Sequence, residues 1–76
     1  MDFSRIKELR ADSDATQQEL ADYLNLTRSA YSNYENGIRD IPAEILAGIA
    51  DFYQTSVDYL LKRTDERMPY PKSKDV

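Results

Sequence analysis

The chain has 76 residues, of which 14 are acidic and 10 are basic, and it contains neither cysteine nor histidine. This length suits one small domain, and the missing residue types exclude disulfides, the usual zinc sites and thiol or histidine catalysis. Two glycines and three prolines disfavour an all-β domain. Because no segment is apolar over the length of a membrane span and the N-terminus lacks the apolar core of a signal peptide, we expect a cytoplasmic protein.

The first half of the sequence predicts two short helices. Phe3, Ile6 and Leu9 are spaced three residues apart, which predicts an amphipathic helix from Asp2 or Ser4 to Ala11. The segment 16–19, TQQE, has the pattern of a capping box, in which the threonine hydroxyl and the glutamate carboxylate each accept from the other residue's amide. A second helix is therefore predicted over residues 17–24. Asn25 tolerates the left-handed backbone that a helix-ending turn needs.

The second half predicts three more helices, so the fold class is all-α. Thr27 caps a third helix, which ends at Asn36 with Gly37 in the position after the cap. Pro42 suits the first position of a fourth helix, since its missing amide hydrogen is not needed there. The apolar stripe of that helix is Ile45, Leu46, Ile49, Phe52 and Tyr53. Ser56 caps a short fifth helix, in which Val57, Leu60 and Leu61 are apolar.

From Lys62 onward the sequence is polar and contains two prolines, which predicts a flexible tail over residues 62–76 after a domain over residues 2–61. An ordered arm that pairs two subunits or touches DNA is the alternative for this tail. Tyr59, Met68 and Tyr70 lie near the end of the chain and are the candidates for a dimer contact.

The third helix has two contrasting faces. Tyr31, Tyr34 and Glu35 share one face. The other face carries hydrogen-bonding groups and nothing apolar: Arg28, Ser29, Ser32, Asn33 and Asn36. A helix exposing such a row of short polar groups and one arginine is suited to recognising a ligand.

A family resemblance follows from the segments TQQELADYLNLTRSAYSNYENG and RDIPAEILAGIADFYQTSVDYLL. Together they resemble the Cro/repressor-type (XRE family) helix-turn-helix domain over about residues 4–61. The family pattern is apolar at Leu20, Leu24 and Leu26 and small at Ala21. The resemblance implies a compact five-helix, lambda-repressor-like fold. The sequence departs from the pattern at Asn25, where a glycine is usual, and in the two tyrosines at positions 31 and 34.

The resemblance implies that the third helix enters the major groove of DNA and recognises bases through Arg28, Ser29, Ser32 and Asn33. The arginine fork can donate to both acceptors of a guanine edge, and the asparagine amide can pair with adenine. The serines are short, adaptable donors. Alternatives remain for each side chain: a phosphate contact or solvation for Arg28, plain exposure for Asn33, and a phosphate contact or no contact for the serines.

Four further residues are candidates for binding the DNA backbone. Gln17 and Gln18 begin the second helix, where free amides and the helix dipole attract a phosphate, although capping alone is the alternative. Asn36 and Arg39 follow the third helix and would hold the flanking phosphates, although plain solvation is the alternative for Arg39. The resemblance also implies that Arg10 and Glu35 form a structural ion pair, so neither is counted as a DNA ligand.

These features predict a sequence-specific DNA-binding transcriptional regulator, acting as a repressor and as a homodimer on a palindromic operator, with no metal or cofactor. The alternative is a protein-interaction module, such as an antitoxin or anti-regulator. The net charge of −4 favours this alternative, because phosphate neutralisation supplies most nonspecific DNA affinity. An enzyme has no support, because the acidic residues are spread among helix caps and solvent-facing positions.

Overall fold

The computed structural model describes residues 3–68, and this part of the chain contains five helices and no strand. The helices are α1 (Ser4–Ser13), α2 (Gln17–Tyr23), α3 (Arg28–Glu35), α4 (Ala43–Tyr53) and α5 (Val57–Leu60). The all-α prediction is therefore confirmed. Tyr70 and the rest of the predicted tail from residue 69 onward lie outside the described residues. Within the described residues no helix is long and apolar enough to cross a membrane.

The start of three helices follows from side-chain caps that the sequence predicts. The Thr16 hydroxyl accepts from the Glu19 amide at 3.0 Å, and the Glu19 carboxylate accepts from the Thr16 amide at 3.1 Å. The Thr27 hydroxyl accepts from the Ala30 amide, and the Ser56 hydroxyl accepts from the Tyr59 amide. These bonds satisfy amides that have no partner within their own helix.

The turn between α2 and α3 is a Schellman motif built on Asn25, whose φ is 58°. The Leu26 amide donates to the Ala21 carbonyl, and the Asn25 amide donates to the Asp22 carbonyl. The same pattern ends α3, where Gly37 has a φ of 77° and the Ile38 amide donates to the Asn33 carbonyl. Both turns are as predicted, and the one at Asn25 sets the angle at which α3 leaves α2.

Two predicted helix boundaries are wrong. The first helix continues two residues beyond Ala11, to Ser13, and ends where Asp14 adopts a left-handed conformation with a φ of 59°. Pro42 is not the first helical residue, because its ψ of 151° is extended and it occupies the N-cap position. Its carbonyl accepts from the Leu46 amide, as the first acceptor of a helix does, so α4 begins at Ala43.

The core gathers apolar side chains from all five helices and from the loop before α4. Its largest fully buried side chains are Tyr31, Ile6, Leu20, Ile49 and Leu60. At the contact between α2 and α4, a Cβ added to Gly48 would lie 2.5 Å from Leu24 Cδ2. This glycine therefore allows a close approach that a larger residue would obstruct.

The segment after α5 contacts α1 through Arg5. The Arg5 guanidinium donates to the carbonyls of Tyr59 and Thr64 and lies 4.3 Å from the centre of the Tyr59 ring. The Thr55 hydroxyl donates to the carbonyl of Arg67. Residues 62–68, which belong to the predicted tail, are therefore held against the helices.

Candidate nucleic-acid interface

A polar pocket of about 310 Å³ opens on the surface between the first turns of α2 and the outer face of α3. It is lined by Gln17, Arg28, Ser29, Ser32 and Asn33. The Thr27 cap begins α3 at Arg28, so residues 28, 29, 32 and 33 fall on one face of the helix. All four predicted base-recognising residues and one predicted phosphate-binding residue thus meet at a single concave site.

The lining residues differ in exposure and in what they already bind. Arg28 and Ser29 are exposed, whereas Ser32 and Asn33 are half-buried. Among the described residues, the Arg28 guanidinium has no ion-pair partner, so it remains available to a ligand. The Asn33 carbonyl accepts from the amides of Ile38 and Arg39 and so ties the following loop to the end of α3.

Beneath the pocket, Arg10 of α1 pairs with Glu35 of α3. Arg10 Nε lies 2.8 Å from Glu35 Oε2, and Arg10 Nη2 lies 2.9 Å from Glu35 Oε1. The Glu35 side chain has no exposed surface, and the Arg10 side chain is 22% exposed. Burial by itself would raise the pKa of Glu35, but the bonds from Arg10 reverse this effect and hold that pKa below its usual value.

Gln17 joins this ion pair to the pocket, because its Nε2 donates to Glu35 Oε1 at 3.3 Å. A carboxylate oxygen accepts only, so the amide group of Gln17 must turn its nitrogen towards Glu35. One of the two Nε2 hydrogens and the Oε1 atom remain for a ligand. Gln17 is therefore held by the third helix as well as by its own position at the start of α2.

Gln18 is not part of the pocket lining. Its Nε2 donates to Asp22 Oδ1 at 2.8 Å, one turn further along the same helix. This bond uses one donor and places an acidic group beside the amide. The predicted phosphate contact of Gln18 stays a prediction, and of the two glutamines only Gln17 lies with the predicted base-recognising residues.

Asn36 and Arg39, the other predicted phosphate-binding residues, flank the pocket at the end of α3. Both are exposed. Asn36 Nδ2 donates to Ser32 Oγ at 3.1 Å, and Lys7 Nζ of α1 lies 3.4 Å from Asn36 Oδ1. An exposed cation from the first helix therefore stands at the same edge.

Sequence reasoning missed Lys7, although a signal for it existed. Lys7 precedes Arg10 by three residues, about one helical turn, and Asn36 directly follows Glu35. A pairing of Arg10 with Glu35 therefore brings Lys7 and Asn36 together. The contact between Lys7 and Asn36 can be predicted only when the ion pair and the helical spacing are considered together.

The electrostatics of the site are close to neutral. Lys7, Arg28 and Arg39 supply three positive charges near α3, and Glu19, Asp22 and Asp40 supply three negative ones. Glu35 is neutralised by Arg10. Within residues 3–68, no group of three or more acidic side chains is placed to hold a metal ion. The arrangement is suited to directed hydrogen bonding rather than to attraction by charge alone.

The known proteins that this chain resembles are helix-turn-helix proteins. A family model described as helix-turn-helix, HTH_3, matches residues 6–60. The HTH-type transcriptional regulator AnsR of Bacillus subtilis is 36% identical over 73 residues, which cover 96% of this chain and 63% of AnsR. The HTH-type transcriptional regulator ImmR of the same organism is 38% identical over 61 residues, which cover 80% of this chain and 48% of ImmR.

A solved structure shares the fold. The N-terminal DNA binding domain of SinR from Bacillus subtilis superimposes with a TM-score of 0.67 and 27% sequence identity, covering 82% of this chain and 91% of that domain. The chain spans less than two thirds of the length of AnsR and ImmR. These relatives are regulators rather than enzymes. On the match over residues 6–60, the chain belongs to the XRE family of helix-turn-helix domains.

Proposed function

We propose that this chain binds duplex DNA in a sequence-specific manner and regulates transcription as a repressor. The observation that supports this most directly is the polar pocket, because it gathers the guanidinium, hydroxyl and amide groups that recognise base edges. The regulators to which the chain is similar agree with this class of function.

The proposed geometry places α3 in the major groove and α2 across the phosphate backbone. Arg28, at the start of α3, donates to a guanine edge, and Asn33, which follows it by about one and a half turns, pairs with adenine. Gln17 offers its remaining amide hydrogen to a phosphate, helped by the N-terminus of α2. Arg39 and Asn36 hold the next phosphates along the strand.

One domain of this size contacts only a few base pairs, so two copies bind a palindrome. The centres of the half-sites are then about one helical turn apart, roughly 10 base pairs. Of the three residues considered for the dimer contact, Tyr59 lies beneath the Arg5 guanidinium, Met68 is exposed, and Tyr70 is outside the described residues. Among the described residues, Met68 is therefore the exposed candidate for this contact.

The deciding experiment is selection from a pool of random duplexes by the purified protein, followed by sequencing of the bound fraction. We expect the wild-type protein to enrich one palindromic motif. This enrichment should disappear when Arg28 and Asn33 are both replaced by alanine. The exposed Arg63→Ala serves as the matched control and retains the motif. A bound fraction without any motif contradicts sequence-specific binding.

A protein-interaction function is the second candidate, supported by an apolar groove of about 360 Å³ away from the polar pocket. It is lined by Phe3, Ile41, Ala43, Leu46 and Leu61, with Asp40 at its edge. Ile41 and Leu46 are already buried, so a protein partner would cover Phe3, Ala43 and Leu61. If the selection yields no motif while one protein co-purifies with the chain, and Leu61→Asp abolishes that association, the second candidate replaces the first.

A further inference from the structure

Three side chains form a line of hydrogen bonds that ends in the polar pocket. Lys7 Nζ donates to Asn36 Oδ1, and Asn36 Nδ2 donates to Ser32 Oγ. Lys7 and Asn36 are exposed, and Ser32 is half-buried and lines the pocket. The line connects a cation on α1 with a hydroxyl on α3.

The direction of these bonds is fixed by the lysine. An ammonium group has three donors and no acceptor, so the atom of Asn36 that faces it must be the carbonyl oxygen. Reversing the amide would place an NH₂ group 3.4 Å from another donor. Because the oxygen faces Lys7, the nitrogen faces Ser32, and the serine oxygen accepts.

The serine hydroxyl is left with its hydrogen to donate. In a helix this hydrogen can instead bond to the carbonyl four residues earlier, here that of Arg28. No such bond is formed among the described residues, and the only hydrogen bond that the Ser32 hydroxyl makes there is the one it accepts from Asn36. Bonds in a line polarise one another, so a positive charge at the first member strengthens donation by the last.

We propose that Ser32 acts as a hydrogen-bond donor to the DNA and that Lys7 is the positioning residue that imposes this polarity through Asn36. This inference rests on the proposed function. The partner of Ser32 is an acceptor: N7 or O6 of a purine, O4 of thymine, or a phosphate oxygen. The exocyclic amino groups of cytosine and adenine are donors, and Ser32 discriminates against them.

The first test uses the free protein and is independent of DNA binding. The side-chain amide hydrogens of Asn36 are followed by NMR in wild type and in Ser32→Ala. We expect Ser32→Ala to move the resonance of the one hydrogen that faced the hydroxyl, while Ser29→Ala, the matched change on the same face of α3, leaves it in place. An Asn36 amide that does not respond to Ser32→Ala overturns the proposed line of bonds.

The second test measures the affinity for the selected operator when one acceptor at a time is removed. Purine N7 is replaced by carbon in 7-deazapurine duplexes, guanine O6 is removed in 2-aminopurine duplexes, and thymine O4 is removed by base analogues. Phosphate oxygens are replaced in methylphosphonate duplexes. At one position of the operator, removal of the acceptor should weaken wild-type binding by about 2- to 10-fold, as expected for one hydrogen bond. The same removal should leave the affinity of Ser32→Ala unchanged. The base analogues and the methylphosphonates distinguish a base from a phosphate partner.

Lys7 variants complete this test. Lys7→Arg keeps a group that only donates, so it should keep the wild-type sensitivity to the removed acceptor. Lys7→Glu introduces a group that only accepts, which turns the Asn36 amide and leaves Ser32 as an acceptor, so the sensitivity should be lost. For each variant, the affinity for the intact operator is compared with its affinity for the duplex that lacks the acceptor. This ratio cancels the general effect of the altered charge on DNA binding.

The results separate the two proposals. If no duplex is selected, the proposed function fails, and the NMR measurement still decides the polarity of the bonds. If an operator is found but Ser32→Ala and wild type respond alike to every removed acceptor, the role of Ser32 is refuted. If Lys7→Glu keeps the wild-type sensitivity, the role of Lys7 is refuted.

Discussion

Replacing Arg10 by methionine tests whether the buried ion pair supports the whole domain. The change removes two bonds, of 2.8 and 2.9 Å, from a carboxylate with no exposed surface. Breaking a buried pair in this way costs about 3–5 kcal/mol, and the remaining bond from Gln17 places the expected loss near the lower end, about 3 kcal/mol. A domain of 76 residues has a stability of roughly 4–11 kcal/mol, so the variant should lose about a quarter to three quarters of it.

The measurement is urea unfolding followed by circular dichroism, at several pH values. In wild type the pKa of Glu35 is lower in the folded protein than in the unfolded chain, where it is about 4.3. The ionised Glu35 therefore contributes to stability above about pH 4.3, and this contribution is lost as the pH falls through the pKa of the folded protein. In Arg10→Met, burial is the largest remaining influence on this carboxyl, is opposed only by weaker neighbours such as Gln17, and raises its pKa. The variant should therefore become more stable, relative to wild type, as the pH falls towards 4.3.

Two controls separate the ion pair from general effects of substitution. Arg63→Met removes an exposed pair with a 3.9 Å separation and should cost less than about 0.5 kcal/mol. The double variant Arg10→Met, Glu35→Leu removes both charges and should recover most of the stability lost in the single variant. If the double variant is as unstable as the single one, or if the single one loses less than about 1 kcal/mol, the reasoning is refuted.

Four further predictions concern the site and the core. Arg28→Ala should cost about 1–3 kcal/mol of operator affinity and relax the preference at one base position, whereas an equal loss on all duplexes would make Arg28 a phosphate contact. The dependence of log affinity on log salt concentration should be shallow, with a slope of roughly −4 to −5 for a dimer, and a slope near −10 would contradict the near-neutral interface. Tyr31→Phe should change the free energy of unfolding by less than about 1 kcal/mol, because the buried Tyr31 hydroxyl makes no hydrogen bond of normal geometry with the described residues. In a Leu24→Ala background, Gly48→Ala should stabilise the domain by about 0.5–1 kcal/mol in urea unfolding, because the atom that obstructs the new Cβ is gone; a loss would locate the obstruction elsewhere.

The parts of the fold that the sequence predicts well are those determined locally. Thr16, Thr27 and Ser56 each bond to an amide three residues away, so the starts of α2, α3 and α5 follow from short segments. Asn25 and Gly37 are residue types that tolerate a left-handed backbone, and both adopt it. The polar face of α3 follows from helical spacing alone.

The parts that the sequence does not predict depend on tertiary contacts or on unfavourable local conformations. Asp14, Gln54 and Lys62 all have a φ between 53° and 61°, although glutamine and lysine have no particular preference for that region. Aspartate adopts that region more readily, but this preference is shared by Asp12 and Asp14, so residue type alone does not predict that α1 ends at Asp14. The bond between Lys7 and Asn36 joins residues 29 positions apart and depends on how α1 packs against α3.

The buried tyrosines show a limit of a different kind. The sequence places Tyr31 on an inward face but does not indicate that its hydroxyl lies close enough to Glu35 to affect its pKa without completing a hydrogen bond. Burial raises the pKa of Tyr53 to about 12 and that of Tyr31 further above its usual value. Whether a phenol finds a partner depends on positions of a few tenths of an ångström, which residue patterns do not determine.

The contact made by Arg5 has a consequence for the order in which the domain opens and closes. Its bonds join residues that are 54 and 59 positions apart, so closing them orders almost the whole chain between. Contacts of such long range carry a large entropic cost until the helices between them have formed, which makes this one a late event in folding. Conversely, a fluctuation that frees the guanidinium releases the first turn of α1 and residues 62–65 together. Amides at these two places should then exchange their hydrogens with solvent as one cooperative unit.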